Sequence, residues 1–205
     1  MCRQAQGADS ESAVKEPTAG KLVVISGPSG AGKTSVCRAL KSDPDVEFSV
    51  SATTRAMRPG ERDRIDYHFL TRAEFERRVE QDEFLEWASY NGNLYGTLRW
   101  PMDEALARGK TFLLEIEVAG TRQLRERGVA GLYLFIAPPS IDELRQRLLR
   151  RGSDQPQEIE QRMSIAADEL AAARSEVGGV PLYDVIVENR DLDETIRRVQ
   201  ELLHP

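Results

Sequence analysis

The sequence predicts an α/β fold, a parallel sheet flanked by helices, with two lobes set on the sheet's edge. Three observations predict it. Short β-branched apolar runs recur along the chain, helical periodicities lie between them, and two polar stretches interrupt the alternation. An apolar run with no polar face reads as a strand covered on both sides. Strands alternating with helices imply a parallel sheet between two helical layers.

Residues 1–19 are rich in Ala, Ser, Glu, Gln and Gly, with Val14 as the only large aliphatic after Met1. Such a segment buries too little apolar area to order itself, so a disordered tail is expected there and a folded domain over 20–205. The first strand is Lys21-Leu-Val-Val-Ile-Ser26; a glycine-rich turn follows, and a helix begins near Lys33. Similar runs at 111–116, 131–136 and 185–187 supply further strands. Ile141, Leu144 and Leu148 repeat at helical spacing behind Ser140 and Glu143, a capping box. Leu192, Ile196, Val199 and Leu203 mark a last helix. The first interruption, 52–97, is polar, aromatic and turn-rich, with a short strand signal around 67–70 and a helix capped by Thr71 with Glu74. The second is the bend 150–157, after which Ile159, Met163, Ala166, Leu170 and Val177 share one face of a helix expected over about 156–177. The core is therefore assigned to 20–51, 98–145 and 170–205, one lobe to 52–97 and the other to about 146–169.

Composition narrows the function classes. With 40% apolar and 30% charged residues the chain has the make-up of an ordinary folded domain. A net charge of −6 argues against a general nucleic-acid partner, which needs a basic surface. No apolar run approaches the ~20 residues that span a bilayer. The N-terminus lacks a secretory h-region and carries Asp9, Glu11 and Glu16, so a cytoplasmic location is expected and no membrane partner. Cys2 and Cys37 form neither a metal motif nor a disulfide framework; Cys37 reads as a small buried hydrophobe.

The strongest motif is Gly27-Pro28-Ser29-Gly30-Ala31-Gly32-Lys33-Thr34, which fits G-x-x-x-x-G-K-[ST] and is followed by Ser35. Glycines let successive N–H groups curl around an oxyanion, and the helix behind them directs its positive end at the same charge. Lys33 reaches the β- and γ-phosphates and the Thr34 hydroxyl suits Mg²⁺. By itself this motif means nucleoside triphosphate binding.

Further on stand Ser51-Ala-Thr-Thr-Arg55-Ala-Met-Arg58-Pro-Gly-Glu61, then Tyr67-His68-Phe69, Glu86-Trp87 and Tyr95-Gly96-Thr97. Placed after the phosphate loop, this pattern resembles the guanylate kinase family from about Lys21 to the C-terminus. The resemblance implies a P-loop NTPase-type fold, with 52–97 as the GMP-binding lobe and 146–169 as a lid. It implies transfer of the ATP γ-phosphate to GMP or dGMP, with Mg²⁺. Arg55, Arg58, Tyr67 and Tyr95 fall on positions that grip the GMP phosphate, and Glu61 on the carboxylate that orients the arginines. Glu86 falls on the carboxylate that reads guanine N1–H and N2–H₂, Ser51 and Thr97 on hydroxyls at the O6 edge, and Glu115 on a second acid near the guanine amino group. Arg151 and Arg162 match the lid's phosphate-directed arginines, and Asn189 an asparagine near the adenine end of ATP. Glu117 stands where the family often has aspartate, and is expected in the outer shell of Mg²⁺.

The chemistry of these residues agrees with that implication. Two arginines three residues apart offer several planar donors to one phosphate. A buried carboxylate facing two ring donors rejects adenine, which presents an acceptor at N1 and no N2 amine. Arg62, Arg64, Arg145, Arg147 and Arg150 read as solvated surface, His68 as structural and Trp87 as packing. Two other functions compete: a non-catalytic guanylate-kinase-like interaction module, disfavoured by Lys33, Thr34 and the lid arginines, and a kinase for another nucleoside monophosphate, disfavoured by Glu86, Ser51 and Thr97.

Overall fold

The computed structural model describes residues 19–151 and 155–204, the side chain of Arg151 excepted. The expected tail, apart from Ala19, and residues 152–154 of the expected bend lie outside the described residues. In chain order the elements are β1 (Lys21–Ser26), α1 (Lys33–Leu40), β2 (Val46–Phe48), β3 (Ala52–Thr53), β4 (His68–Phe69), α2 (Arg72–Glu80), β5 (Phe84–Tyr90), β6 (Asn93–Leu98) and α3 (Arg99–Ala107). There follow β7 (Thr111–Glu115), α4 (Val118–Glu126), β8 (Leu132–Ala137), α5 (Ile141–Arg151), α6 (Pro156–Ala172), β9 (Glu176–Val177), β10 (Val180–Pro181), β11 (Val185–Glu188) and α7 (Leu192–Leu203).

Five strands form the central sheet in the order β11-β8-β1-β7-β2, every neighbouring pair parallel. The period of two along each strand divides the core. Leu22, Val24, Phe112, Leu114, Tyr133 and Phe135 face one side, where Met102 and Ala105 of α3 and Leu124 of α4 close over them. Val23, Ile25, Leu113, Leu134 and Ile136 face the other, under Val36 and Leu40 of α1 and Val199 and Leu203 of α7. Each fully buried Leu, Ile or Phe adds about 1.5–3 kcal/mol, which is why these strands carry no polar face.

The first polar stretch makes its own four-stranded sheet, β4-β3-β6-β5, with β3 and β4 parallel and the other pairs antiparallel. Its turn between β5 and β6 is Asn91-Gly92, both at positive φ, the hairpin pair that matches strand twist. Helix α2 covers this sheet. The Thr71 hydroxyl accepts from the Glu74 N–H at 3.2 Å, and Phe75 stacks on Phe84 at 4.2 Å between centroids.

Helices α5 and α6 pack on each other through Leu144, Leu148, Ile159, Met163 and Ala166, and Arg145 pairs with Glu160 across them. The periodicity predicts one helix over 156–177, but α6 ends at Ala172 and a small antiparallel hairpin, β9–β10, follows. The reason is Gly178-Gly179, both at positive φ, which turn the chain back. Val177 packs against the main core from that hairpin rather than from a helix.

The phosphate-loop motif follows β1, Glu115 ends β7, and Asn189 follows β11. All three lie at or beyond the carboxyl ends of parallel strands, where open α/β sheets place their ligands.

Candidate active site

The donor half begins with the loop between β1 and α1. Gly27, Gly30 and Gly32 all take positive φ. The Lys33 ammonium donates to the carbonyls of Gly27 at 2.5 Å and Pro28 at 3.1 Å, inside the curve of the loop. Burial lowers the pKa of Lys33, while Glu115, Glu169 and Glu117, in that order, oppose the shift. From the far side, Asn189 donates to the Ala31 carbonyl at 2.7 Å and accepts from the Thr195 hydroxyl at 3.1 Å. One end of its buried amide thus braces the loop and the other is fixed by α7.

That brace is tight. A Cβ on Gly32 would lie 2.2 Å from Asn189 Nδ2, on a backbone at φ 105°. Gly32→Ala is expected to lower stability by at least about 1–2 kcal/mol from the left-handed backbone alone, and more once Asn189 is pushed aside. A thermal melt beside the parent protein checks it, and an unchanged melting temperature would refute the brace.

A cavity of about 470 Å³ opens beside the loop, lined by Gly30, Gly32, Ser35, Asn189 and Leu192 and by Glu143, Arg147 and Arg150 of α5. Arg147 and Arg150 read as surface in the sequence, yet both border this cavity. Glu143 holds Arg147 at 3.1 Å and Arg150 at 2.9 Å, and Arg147 also reaches the Asn189 carbonyl at 2.9 Å. Arg162 of α6 donates to the Ser29 hydroxyl at 2.9 Å, tying the second helix of that lobe to the phosphate loop. Arg151 ends α5, and its side chain lies outside the described residues.

The acceptor half is a second cavity, about 420 Å³, lined by Ser51, Tyr67, Glu86, Tyr90, Tyr95 and Gly96 from the four-stranded sheet and by Ile116, Glu117, Ala119 and Gly120 from the β7–α4 turn. Glu86 is buried, and its Oε1 accepts from the equally buried Thr97 hydroxyl at 2.7 Å. Burial raises the Glu86 pKa, the Thr97 hydrogen bonds work against that, and Glu117 adds to it. Gly120 keeps the space open, since a Cβ there would stand 3.0 Å from Glu86 Oε2. Gln123 of α4 fixes the strand carrying Glu86 by accepting from the Trp87 N–H at 3.2 Å and donating to its carbonyl at 2.8 Å.

Arg55 and Glu61 form a two-point ion pair at 3.0 and 2.7 Å. Hydrogen bonding to Arg55 holds the Glu61 carboxyl below its ordinary range, and Glu61 raises Arg55 in turn. The guanidinium lies 5.4 Å from the Tyr67 ring centroid, and Tyr67 meets Tyr95 edge-on at 6.3 Å. Arg55, Tyr67, Tyr95 and Glu61 are thus brought together. Arg58 joins through its backbone, whose N–H donates to Glu61 at 2.8 Å; its side chain is exposed.

Two neighbouring acids lie on different sides. Glu115, expected at the guanine amino group, lies at the donor side, where its Oε1 accepts from the Thr34 hydroxyl at 3.4 Å. Glu117, expected near the metal, lines the acceptor cavity beside Glu86. Successive strand residues point to opposite faces, but Glu117 is past the strand and caps α4, so the turn rather than the pleat aims it.

Three participants escaped the sequence reading. Tyr90 meets Tyr95 edge-on at 6.5 Å on the acceptor rim. Gly120 is silent in sequence because its role is the absence of a side chain. Glu169 of α6 has a carboxyl pushed up to about 7 by burial, pulled back by Lys33 and pushed further by Glu117. An acid bordering the apolar stripe of Met163, Ala166 and Leu170 was its only available signal. Among the described residues no helix is long and apolar enough to cross a membrane, and no cluster of three or more His, Cys, Asp or Glu could hold a metal.

The family model described as guanylate kinase matches residues 19–205. The guanylate kinase of Carboxydothermus hydrogenoformans is 43% identical over 185 residues, 90% of this chain and 87% of that protein. That of Synechocystis sp. is 44% identical over 185 residues, covering 90% and 93%. The crystal structure of guanylate kinase from Anaplasma phagocytophilum superimposes with a TM-score of 0.64 at 30% identity, covering 91% of this chain and 85% of that one. With two cavities, a glycine loop closed on its lysine and a match that spans the folded residues, the chain belongs to the guanylate kinase family.

Proposed function

We propose that this protein transfers the γ-phosphate of ATP to GMP, and to dGMP, giving ADP and the nucleoside diphosphate. The observation that carries the reading is the buried Glu86–Thr97 pair at a cavity that a second carboxylate, Glu117, also lines. Two carboxylates answer guanine's N1–H and N2–H₂, Ser51 and, once its proton turns from Glu86, the Thr97 hydroxyl donate to the O6 edge, and adenine would leave these groups unpaired.

The phosphate of GMP would then lie against Arg55, Tyr67 and Tyr95, with Glu61 holding the Arg55 fork in one orientation and the Arg58 side chain free to close on it. On the donor side Lys33 and the loop amides of Gly30 to Thr34 take the β- and γ-phosphates, with Ser35 and Asn189 toward the nucleoside. Arg162, and Arg151 with it, neutralise the charge that spreads over the moving group. The reaction needs no strong base. A phosphate monoester is largely dianionic at neutral pH, so its oxygen attacks the γ-phosphorus directly while the bond to the bridging oxygen of ADP breaks.

The Thr34 hydroxyl and Glu115 are adjacent oxygen donors of the kind Mg²⁺ takes, and a site with few protein ligands is ordinary for this ion beside nucleotide phosphates. When bound there it would screen the phosphate charge. The reading includes a cytoplasmic setting and no nucleic-acid partner.

A coupled ADP-release assay with ATP and a panel of GMP, dGMP, AMP, UMP and CMP tests it. GMP is expected to exceed AMP in kcat/KM by about 10⁴-fold. Equal values for the two purines would overturn the guanine assignment.

A further inference from the structure

Adjoining the acceptor cavity at Ser51 is a recess of about 310 Å³ between α1, the β2–β3 junction and the end of β7. Thr34, Arg38, Ser49, Ser51 and Glu115 line it. It joins the two halves of the site, because Thr34 belongs to the phosphate loop and Ser51 also lines the acceptor cavity. None of the roles assigned above uses Arg38.

We propose that Arg38 is a third guanidinium for the acceptor phosphate, reaching it from the core side while Arg55 and Arg58 hold it from the lobe. The inference rests on the phosphotransfer reading and adds a residue to it. Arg38 follows Thr34 by one helical turn on the same face of α1. The two Cα atoms are separated by a rise of about 6 Å along the axis. Side chains on a helix lean toward its N-terminus, so the long arginine stem carries its charge up to the level of Thr34.

The charge is also available. Arg38 is exposed and pairs with no carboxylate among the described residues, although Glu115 lines the same recess. In a chain of net charge −6 most arginines near an acid are paired, as Arg55, Arg78, Arg125 and Arg147 are. Lys41, the next cation on this helix, is already placed, its ammonium 5.6 Å from the Phe48 ring centroid. The recess shares Ser51 with the acceptor cavity and no residue with the cavity of Gly30, Arg147 and Asn189, which sets Arg38 between the acceptor and the phosphate end of the loop, away from the nucleoside end of ATP.

The test is steady-state kinetics and GMP calorimetry on the full chain, comparing the parent protein with Arg38→Ala, Arg38→Lys and Arg197→Ala, the last an exposed arginine of α7. Arg38→Ala is expected to raise the KM and Kd for GMP about 10- to 100-fold, the loss of one or two charge-assisted hydrogen bonds, and to leave the KM for ATP within about twofold. Arg38→Lys keeps the charge without the planar fork and falls between. Arg197→Ala matches the parent. A GMP KM and Kd within twofold of the parent in Arg38→Ala would remove the proposal, as would equal rises in the KM of GMP and ATP. If the parent phosphorylates GMP and the variant does so equally, Arg38 alone is misassigned. If the parent phosphorylates no nucleoside monophosphate, the phosphotransfer reading falls and this one with it.

Discussion

Lys33→Ala is expected to abolish turnover, with kcat falling by about 10³-fold or more. The side chain is mostly buried, and its ammonium sits on the Gly27 and Pro28 carbonyls at the point where the loop would hold the γ-phosphate. Its surroundings make the loss larger than that of a surface lysine. Glu115, Glu169 and Glu117 all act on it, so removing the cation leaves three carboxylates, and in the complex a polyphosphate, without the charge that offsets them. A kcat within tenfold of the parent would show that the loop amides carry the charge without the lysine.

The same substitution has a pH signature. The Glu169 carboxyl is pushed up from 4.5 to about 7 by burial. Across that interval the folded chain binds more protons than the unfolded one, so this group removes stability progressively as pH rises from about 4.5 to 7. Lys33 opposes the shift, and without it the carboxyl rises further. The melting temperature of Lys33→Ala should therefore fall further below the parent at pH 8 than at pH 5. An equal difference at both pH values would separate Glu169 from the lysine.

Glu86→Gln is expected to lower kcat/KM for GMP on the order of 10³-fold while leaving the KM for ATP unchanged, so that discrimination between the purines collapses. The amide has the size of the acid and keeps the Thr97 contact possible, which makes this a change of charge and not of packing. An amide can accept one ring hydrogen but presents its own N–H₂ to the other. The two neighbouring acids divide the same way. Glu117→Gln is expected to act on GMP, whereas Glu115→Gln raises the Mg²⁺ concentration needed for half-maximal rate. Glu86→Gln with GMP and AMP rates in the parent's ratio would place base recognition elsewhere.

Much of this was legible before the fold. The phosphate loop is local: its glycines, lysine and threonine are consecutive, and the strand before it and helix after it follow from periodicity. The Arg55–Glu61 pair lies within six residues and the Thr71 and Ser140 caps within three, so chain geometry alone nearly fixes them. The hairpin at Gly178-Gly179 was missed because a helical stripe ran up to it, and the turn glycines outweighed the stripe.

The alternating layers, the anion loop and the two clusters of cations that flank it are therefore written in local sequence. Packing between remote segments settles which lone acid lies on which side. Glu115 and Glu117 are two residues apart and chemically alike, yet one faces Thr34 and the other Glu86, because the strand ends between them and the turn re-aims the chain. Asn189 bracing Ala31 across 158 residues, and Glu169 shifted by burial against Lys33, belong to the same class. Their roles depend on distance and desolvation, which exist only once remote segments have packed together.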